Sequence, residues 1–201
     1  ATQGILRFEP TVIIDASGFE RPMAASTLFI PLGWRAEGGV VWGSEYLCTN
    51  GYNFNWAAVS SDGLERIAVL PQMKWEWNNF GAPVSAPGCQ SAPYTDITQY
   101  LQASISGMQP GARIEGVRQR EDLQRQFASY NQTTPMPMGE SRTWVEAAEM
   151  SYRFTLQGRE MRGSMAAVAV FSLMRTNPGS GMGVMDVLTG YVFPAYGASA
   201  P

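Results

Sequence analysis

Apolar residues recur at every second position through much of this 201-residue chain, the signature of strands with one buried face. Residues 5–14 and 26–30 read as two strands separated by the turn-rich segment Asp15-Ala-Ser-Gly-Phe-Glu-Arg-Pro22. A short strand follows at 38–42. Residues 51–60 alternate cleanly, with Tyr52, Phe54 and Trp56 set against Asn53 and Asn55. Asp62-Gly63 supplies the positive φ that a tight hairpin needs, so 64–70 return as the partner strand. Met73, Trp75 and Trp77 continue the pattern, with Lys74 and Glu76 on the opposite face. Further on, 112–119 reads as a strand, and 143–156 with 161–174 as a long hairpin turning at Gln157-Gly158. The outgoing arm carries Trp144, Ala148, Met150, Tyr152 and Phe154 on one side. The return arm is apolar on both faces from Met165 onward, as a strand covered on both sides would be.

Helical spacing takes over in three places. Thr95 is placed to cap a helix whose apolar residues are Ile97, Tyr100, Leu101 and Ile105, ending at Gly107. Leu123, Phe127 and Tyr130 mark a second helix over 121–130. Val184, Val187, Leu188 and Tyr191 predict a third over 184–191, stopped by Pro194. The Pro/Gly-rich segments 78–94 and 133–139 read as loops, and 197–201 as a linker-like tail following a single domain at 1–196. Strands in antiparallel hairpins, with helices between and after them, predict an α+β fold: a twisted antiparallel sheet flanked by helices.

The alternating rings pose a choice between a displayed ligand platform and a core. Their neighbours are Asn, Lys and Glu, so the aromatic side is the better candidate for burial. Trp56 and Trp75 are then expected against the helix around Tyr100 and Leu101. Asn53, Asn55, Lys74 and Glu76 fall on the solvent side, as the candidate ligand-binding residues.

Composition narrows the chemistry more than the pattern does. Hydrophobic residues make up 45% and charged residues 15%, enough for a substantial core, and the net charge of -3 leaves no basic footprint for nucleic acid. The most apolar run, 165–174, is far shorter than a membrane span, so no membrane insertion is expected. The chain starts at Ala1 without an initiator Met, which reads as the trace of a removed segment. Cys48 and Cys89 each lie beside turn-forming residues. Paired, they would close a loop worth on the order of 4 kcal/mol and point to a periplasmic or secreted protein. Left unpaired, they would be thiols of a reducing cytosol; the disulfide is the expectation.

Histidine is absent, which removes histidine triads and histidine metal sites. No metal or other cofactor is expected. A Ser–Lys dyad would need Lys74, the sole lysine, which sits on a strand between two core-directed side chains. Gly179-Ser-Gly-Met-Gly183 lacks the spacing and the following Lys-Ser/Thr of a phosphate-binding turn. Glu146 shares a strand side with Trp144 and Ala148. It reads as a residue near a sheet edge, an arginine's partner, or a functional group. Glu149, three residues on, points to the other face. No catalytic residue emerges.

Several stretches resemble the PsbP-like fold, seen in photosystem II extrinsic subunits, a eukaryotic Ran-binding protein family and exported bacterial proteins. They are Ile30-Pro-Leu-Gly-Trp34, Glu37-Gly-Gly-Val-Val-Trp42, Val59-Ser-Ser-Asp-Gly63, Leu70-Pro71, Trp144-Val-Glu-Ala-Ala and Phe154-Thr-Leu-Gln-Gly158. The resemblance spans roughly residues 26–175 and implies an α-β-α sandwich that binds or stabilises a partner. The photosystem members' histidine-containing metal sites have no counterpart here, and no Ran-binding pattern is present. The expected function is a non-catalytic exported binding or accessory domain whose partner is a protein or small ligand. A carbohydrate-binding module or carboxylate-based glycoside-active enzyme is one alternative, and a structural domain of a larger envelope protein another.

Overall fold

The alternating segments become strands and pair into a large, almost wholly antiparallel sheet. The computed structural model describes residues 7–18, 20–82, 89–177, 179, 181 and 183–201. A separate hairpin, β1 (Phe8–Asp15) and β2 (Met23–Pro31), precedes the main sheet. The sheet begins with β3 (Arg35–Trp42), β4 (Tyr52–Val59), β5 (Arg66–Leu70), β6 (Met73–Asn78) and the two-residue β7 (Gln90–Ser91). Helix α1 (Ile97–Met108), β8 (Arg113–Gln119), the short α2 (Glu121–Gln126) and β9 (Gln132–Met136) come next. The long hairpin β10 (Gly139–Leu156) and β11 (Arg159–Thr176) leads to β12 (Met185–Val192) and β13 (Ala195–Ala200). No helix among the described residues is long and apolar enough to cross a membrane.

Two pairs of strands are each one strand with a bend. Leu70 pairs with Ala195 and Met73 with Val192, so β5–β6 runs against β12–β13 in unbroken register. β11 spans both, pairing Ala169 with Val192 but Ala166 with Tyr196. The partner therefore holds one residue more over this stretch, a bulge that bends the strand. On β5, Leu70 packs into the core beneath α1 while its neighbour Val69 packs beneath the β1–β2 hairpin. The sheet thus has two covers, one on each face.

Tyr100 and Leu101 of α1 pack onto Trp75, Met150, Met165 and Phe171 of the sheet, all buried. Trp75 stacks on Tyr100, with ring centroids 5.6 Å apart and 2° between planes. Its cross-strand partner is Gly190, where a Cβ would overlap the indole, and Tyr152 lies over Gly163 in the same way. An aromatic ring shields a strand glycine in each pair and fills the missing side chain's place. Beneath the hairpin, Trp56 packs with Ile13, Ile30, Ala58 and Val69. Both tryptophans are buried, but Trp56 belongs to the face away from α1.

Several sequence expectations are corrected. The fold is β-rich, with 58% strand against 15% helix, and is neither an α-β-α sandwich nor a sheet flanked by helices. The helix expected at 184–191 is strand β12. Its apolar positions keep helical spacing, but a strand covered on both faces also takes them, and the slot between β11 and β6 settles the choice. The linker-like tail at 197–201 lies largely in β13, hydrogen-bonded to β5 on one side and β11 on the other. The loop at 133–139 contains β9, whose Pro135 is tolerated on a strand paired only along β10. The α1 cap is Asp96, whose carboxylate accepts from the Gln99 N–H at 2.9 Å. Of the expected first strand, residues 5 and 6 lie outside the described residues. So do 83–88 of the 78–94 loop and 178, 180 and 182 of the glycine-rich turn.

Candidate functional site

The bend between β5 and β6 would leave backbone groups without ladder partners, and side chains supply them. Asn53 Nδ2 donates to the Gln72 carbonyl at 2.9 Å. Its Oδ1 accepts from the N–H groups of Gln72 at 2.8 Å and Phe54 at 2.9 Å. Gln72 Nε2 donates to the Tyr52 carbonyl, and Gln72 Oε1 accepts from the Tyr191 hydroxyl. Asn53 is therefore buried, at 5% exposure, and does not face solvent as expected from the sequence. Its polarity serves the bend rather than a surface.

Beside this bend opens a cleft of about 390 Å³. One wall is the 3-10 turn Ser44–Thr49, contributing Glu45, Tyr46, Cys48 and Thr49. Asn50 (φ 69°) and Gly51 (φ 82°) close that turn in the left-handed region, and the Gly51 N–H donates to the Tyr46 carbonyl at 2.8 Å. The opposite wall is one side of α1, with Tyr100, Ser104 and Met108. Leu70, Pro71 and Met73 line the sheet side. Cys48 and Cys89 are disulfide-bonded with Cα atoms 5.0 Å apart, tying the 3-10 turn to the residue preceding β7. β7 in turn lies parallel to β6.

The cleft is mainly apolar, and the polar atoms at its base are already paired. Burial pushes the Tyr100 hydroxyl's pKa up, against an opposing hydrogen bond from Ser104, so it stays a neutral phenol near neutral pH. Glu45 and Lys74 bring opposite charges to the lining. Leu70 and Met108 also border a second hollow of about 290 Å³, shared with Tyr152, Phe154 and Met165. Methionine and aromatic walls adapt to irregular apolar shapes.

Of the candidate ligand-binding residues, Asn53 and Lys74 come together at the cleft. Asn55 is exposed on β4 and Glu76 half-buried on β6, both outside the lining. Tyr46, Gln72, Tyr100, Ser104 and Met108 were not legible as site residues. Asn50-Gly51 after Cys48 was the one local signal that a turn would stand there.

The carboxylates have structural partners. Glu146 Oε2 accepts from the Ile97 N–H at 2.9 Å, capping α1 from across the core, and Oε1 accepts from Trp144 Nε1 at 2.8 Å. It is thus not an arginine's partner, and it stands on a stretch of β10 that pairs with β11 but with neither β8 nor β9. Glu149, on the opposite face, accepts from Arg118, Arg120 and Ser164. The Arg118 hydrogen bond, helped by Ser164 and Arg120, holds its carboxyl below the ordinary range despite partial burial. Among the described residues no group of three or more His, Cys, Asp or Glu could hold a metal ion. The exposed Trp42 and its neighbour Tyr52 are tilted by 44°, and Phe127 stacks on Phe193 rather than presenting its ring. No family model, no curated protein and no solved structure matches this chain, and the PsbP-like resemblance rests on its turn motifs alone.

Proposed function

We propose that this chain is a non-catalytic binding domain of an oxidising compartment, periplasmic or extracellular, and that its ligand occupies the cleft beside the β5–β6 bend. The observation that carries the reading is the build of that cleft. It has apolar walls of drug-sized volume, and one wall is braced by a disulfide. The ligand class that fits is a small, largely apolar molecule, because the base offers few unpaired polar atoms. A preformed wall also lowers the ordering cost of binding. The disulfide supports export, since such bonds persist mainly in oxidising compartments.

The test uses 1-anilinonaphthalene-8-sulfonate with native protein. Its fluorescence should rise on binding, and Ser104→Trp, which fills the cleft, should abolish the rise without lowering the melting temperature. Probe binding that survives Ser104→Trp unchanged would place the site elsewhere. Turnover of glycosides or esters that Glu76→Gln removes, with the fold intact, would replace the binding reading with an enzymatic one.

A further inference from the structure

The margins of the main sheet carry features that discourage association. β8 carries Arg113, Glu115 and Arg118, β9 contains Pro135, and β7 is two residues long. Charges, proline and shortness all blunt a strand against pairing with another chain. β2 of the hairpin, by contrast, is nine residues long and carries no charge, and its one proline, Pro31, stands at its last position. Among the described residues β2 pairs with β1 alone.

The hairpin's outer face is apolar. Ile13 and Ile30 point into the core, and Glu9 pairs with Ile30 on that inner side, where its carboxylate accepts from the Gly33 N–H at 3.0 Å. The alternate positions are turned outward. Phe8 is 53% exposed, Val12 43%, Ile14 42% and Phe29 69%, with Leu32 exposed just past the end of β2. Pro10 lies opposite Phe29 and Val12 opposite Thr27, so these groups form one contiguous surface. Taking roughly 150–250 Å² for a fully exposed large apolar side chain, the five exposed residues present on the order of 500 Å² of surface. That stands toward the upper end of the roughly 300–600 Å² of the largest patch on a typical monomer, which is often functional, and below the roughly 800 Å² that each partner contributes to a standard interface.

We propose that this face is the interface of a homodimer, in which two hairpins pack outer face to outer face about a two-fold axis. Isologous packing sets a surface against itself, so a charge close to the two-fold axis would meet its like. Between Phe8 and Ile14 on β1, and along all of β2, the outward positions carry no charge. The face is therefore compatible with its own copy. A two-stranded sheet packed on another at roughly 10 Å lets Phe29, Val12 and Phe8 interdigitate as the inner faces of a sandwich do. A lipid surface fits less well, because the chain's net charge is -3 and anionic headgroups would repel it.

Sedimentation equilibrium tests this over a concentration series up to about 100 µM, where even a weak dimer is populated. The native chain should show a monomer–dimer equilibrium. Phe29→Lys and Val12→Lys, both at exposed positions, should each weaken it by at least about tenfold while leaving the urea midpoint of dilute protein unchanged. Val117→Lys, an exposed apolar position on β8, should leave the dimer intact. Native protein that stays monomeric throughout would overturn the proposal, as would a dimer insensitive to both hairpin lysines. Monomeric protein that binds phosphatidylglycerol vesicles through Phe29 would also overturn it and assign the face to a membrane. None of these readouts involves the cleft, so the two readings fail separately.

Discussion

Trp75 and Trp56 come from the same kind of alternating strand and are buried to a similar degree, yet they sit beneath covers of different character. The cover over Trp75 is α1, whose outward residues Gln99, Gln102 and Ser106 are polar and exposed. A helix has room for an apolar stripe below and a polar one above, so it closes its face of the sheet. The cover over Trp56 is the β1–β2 hairpin, whose outward residues Phe8, Val12 and Phe29 are apolar. A strand's two faces are set residue by residue, and here both were made hydrophobic. One half of the molecule is finished, while the other presents a surface still to be covered.

The most direct way to break this comparison is to remove each ring. Trp75→Ala should cost about 4–5 kcal/mol, at the upper end for large-to-small core changes, because it also strands the Tyr94 carbonyl that Trp75 Nε1 reaches at 2.9 Å. Trp56→Ala should cost about 3 kcal/mol, since its thinner cover can collapse further into the space. Urea unfolding of the two variants measures the difference, and equal costs would erase it.

A second test sharpens the account of the α1 side. Gly190→Val should destabilise by about 2–3 kcal/mol through overpacking against the indole. Most of that penalty should vanish in a Trp75→Ala background. Additive effects in this double-mutant cycle would show that ring and glycine do not share the space.

Smaller effects separate the faces electrostatically. Glu146→Ala should cost about 1–2 kcal/mol by uncapping α1 and leaving Trp144 Nε1 unpaired. Amide exchange at Ile97 should accelerate, and Glu146→Gln should restore much of the protection.

The smallest effect belongs to Glu149, on the other face. Its folded pKa lies below the ordinary 4.5, so between the two values the unfolded chain binds more protons. Its contribution is present above the ordinary value and is lost as pH falls through the lowered one. Stability should therefore drop as pH falls from about 5 toward 3, and Glu149→Gln should flatten that part of the curve. An unchanged acid limb in the variant would remove Glu149 from the account.

Much of the local structure was legible because it follows from neighbours along the chain. Asp62-Gly63 and Gln157-Gly158 marked hairpins, helical spacing marked α1, and the turn chemistry around both cysteines anticipated their bridge. The candidate cleft was legible only in fragments. Asn53 and Lys74 stood out as polar residues among rings, but residues from the 3-10 turn, the bend and α1 meet there through distant chain crossings.

Alternation along the chain by itself determined where strands form and that one side of each is apolar, since side-chain direction reverses at every residue. It could not say which layer would lie against that side, because this depends on strand order. The sheet placed Trp56 under the hairpin and Trp75 under α1. A window of sequence also pointed to helix at 184–191, where Val187, Leu188 and Tyr191 keep helical spacing, and only a strand covered on both faces takes all three. The open edges of β11 and β6 decided it, by offering hydrogen bonds along both sides of β12. Gly197, Ala198 and Ser199 read as linker because they bring little apolar surface of their own. Between β5 and β11, two ladders hold them, and their small side chains let neighbours such as Leu70 pack close.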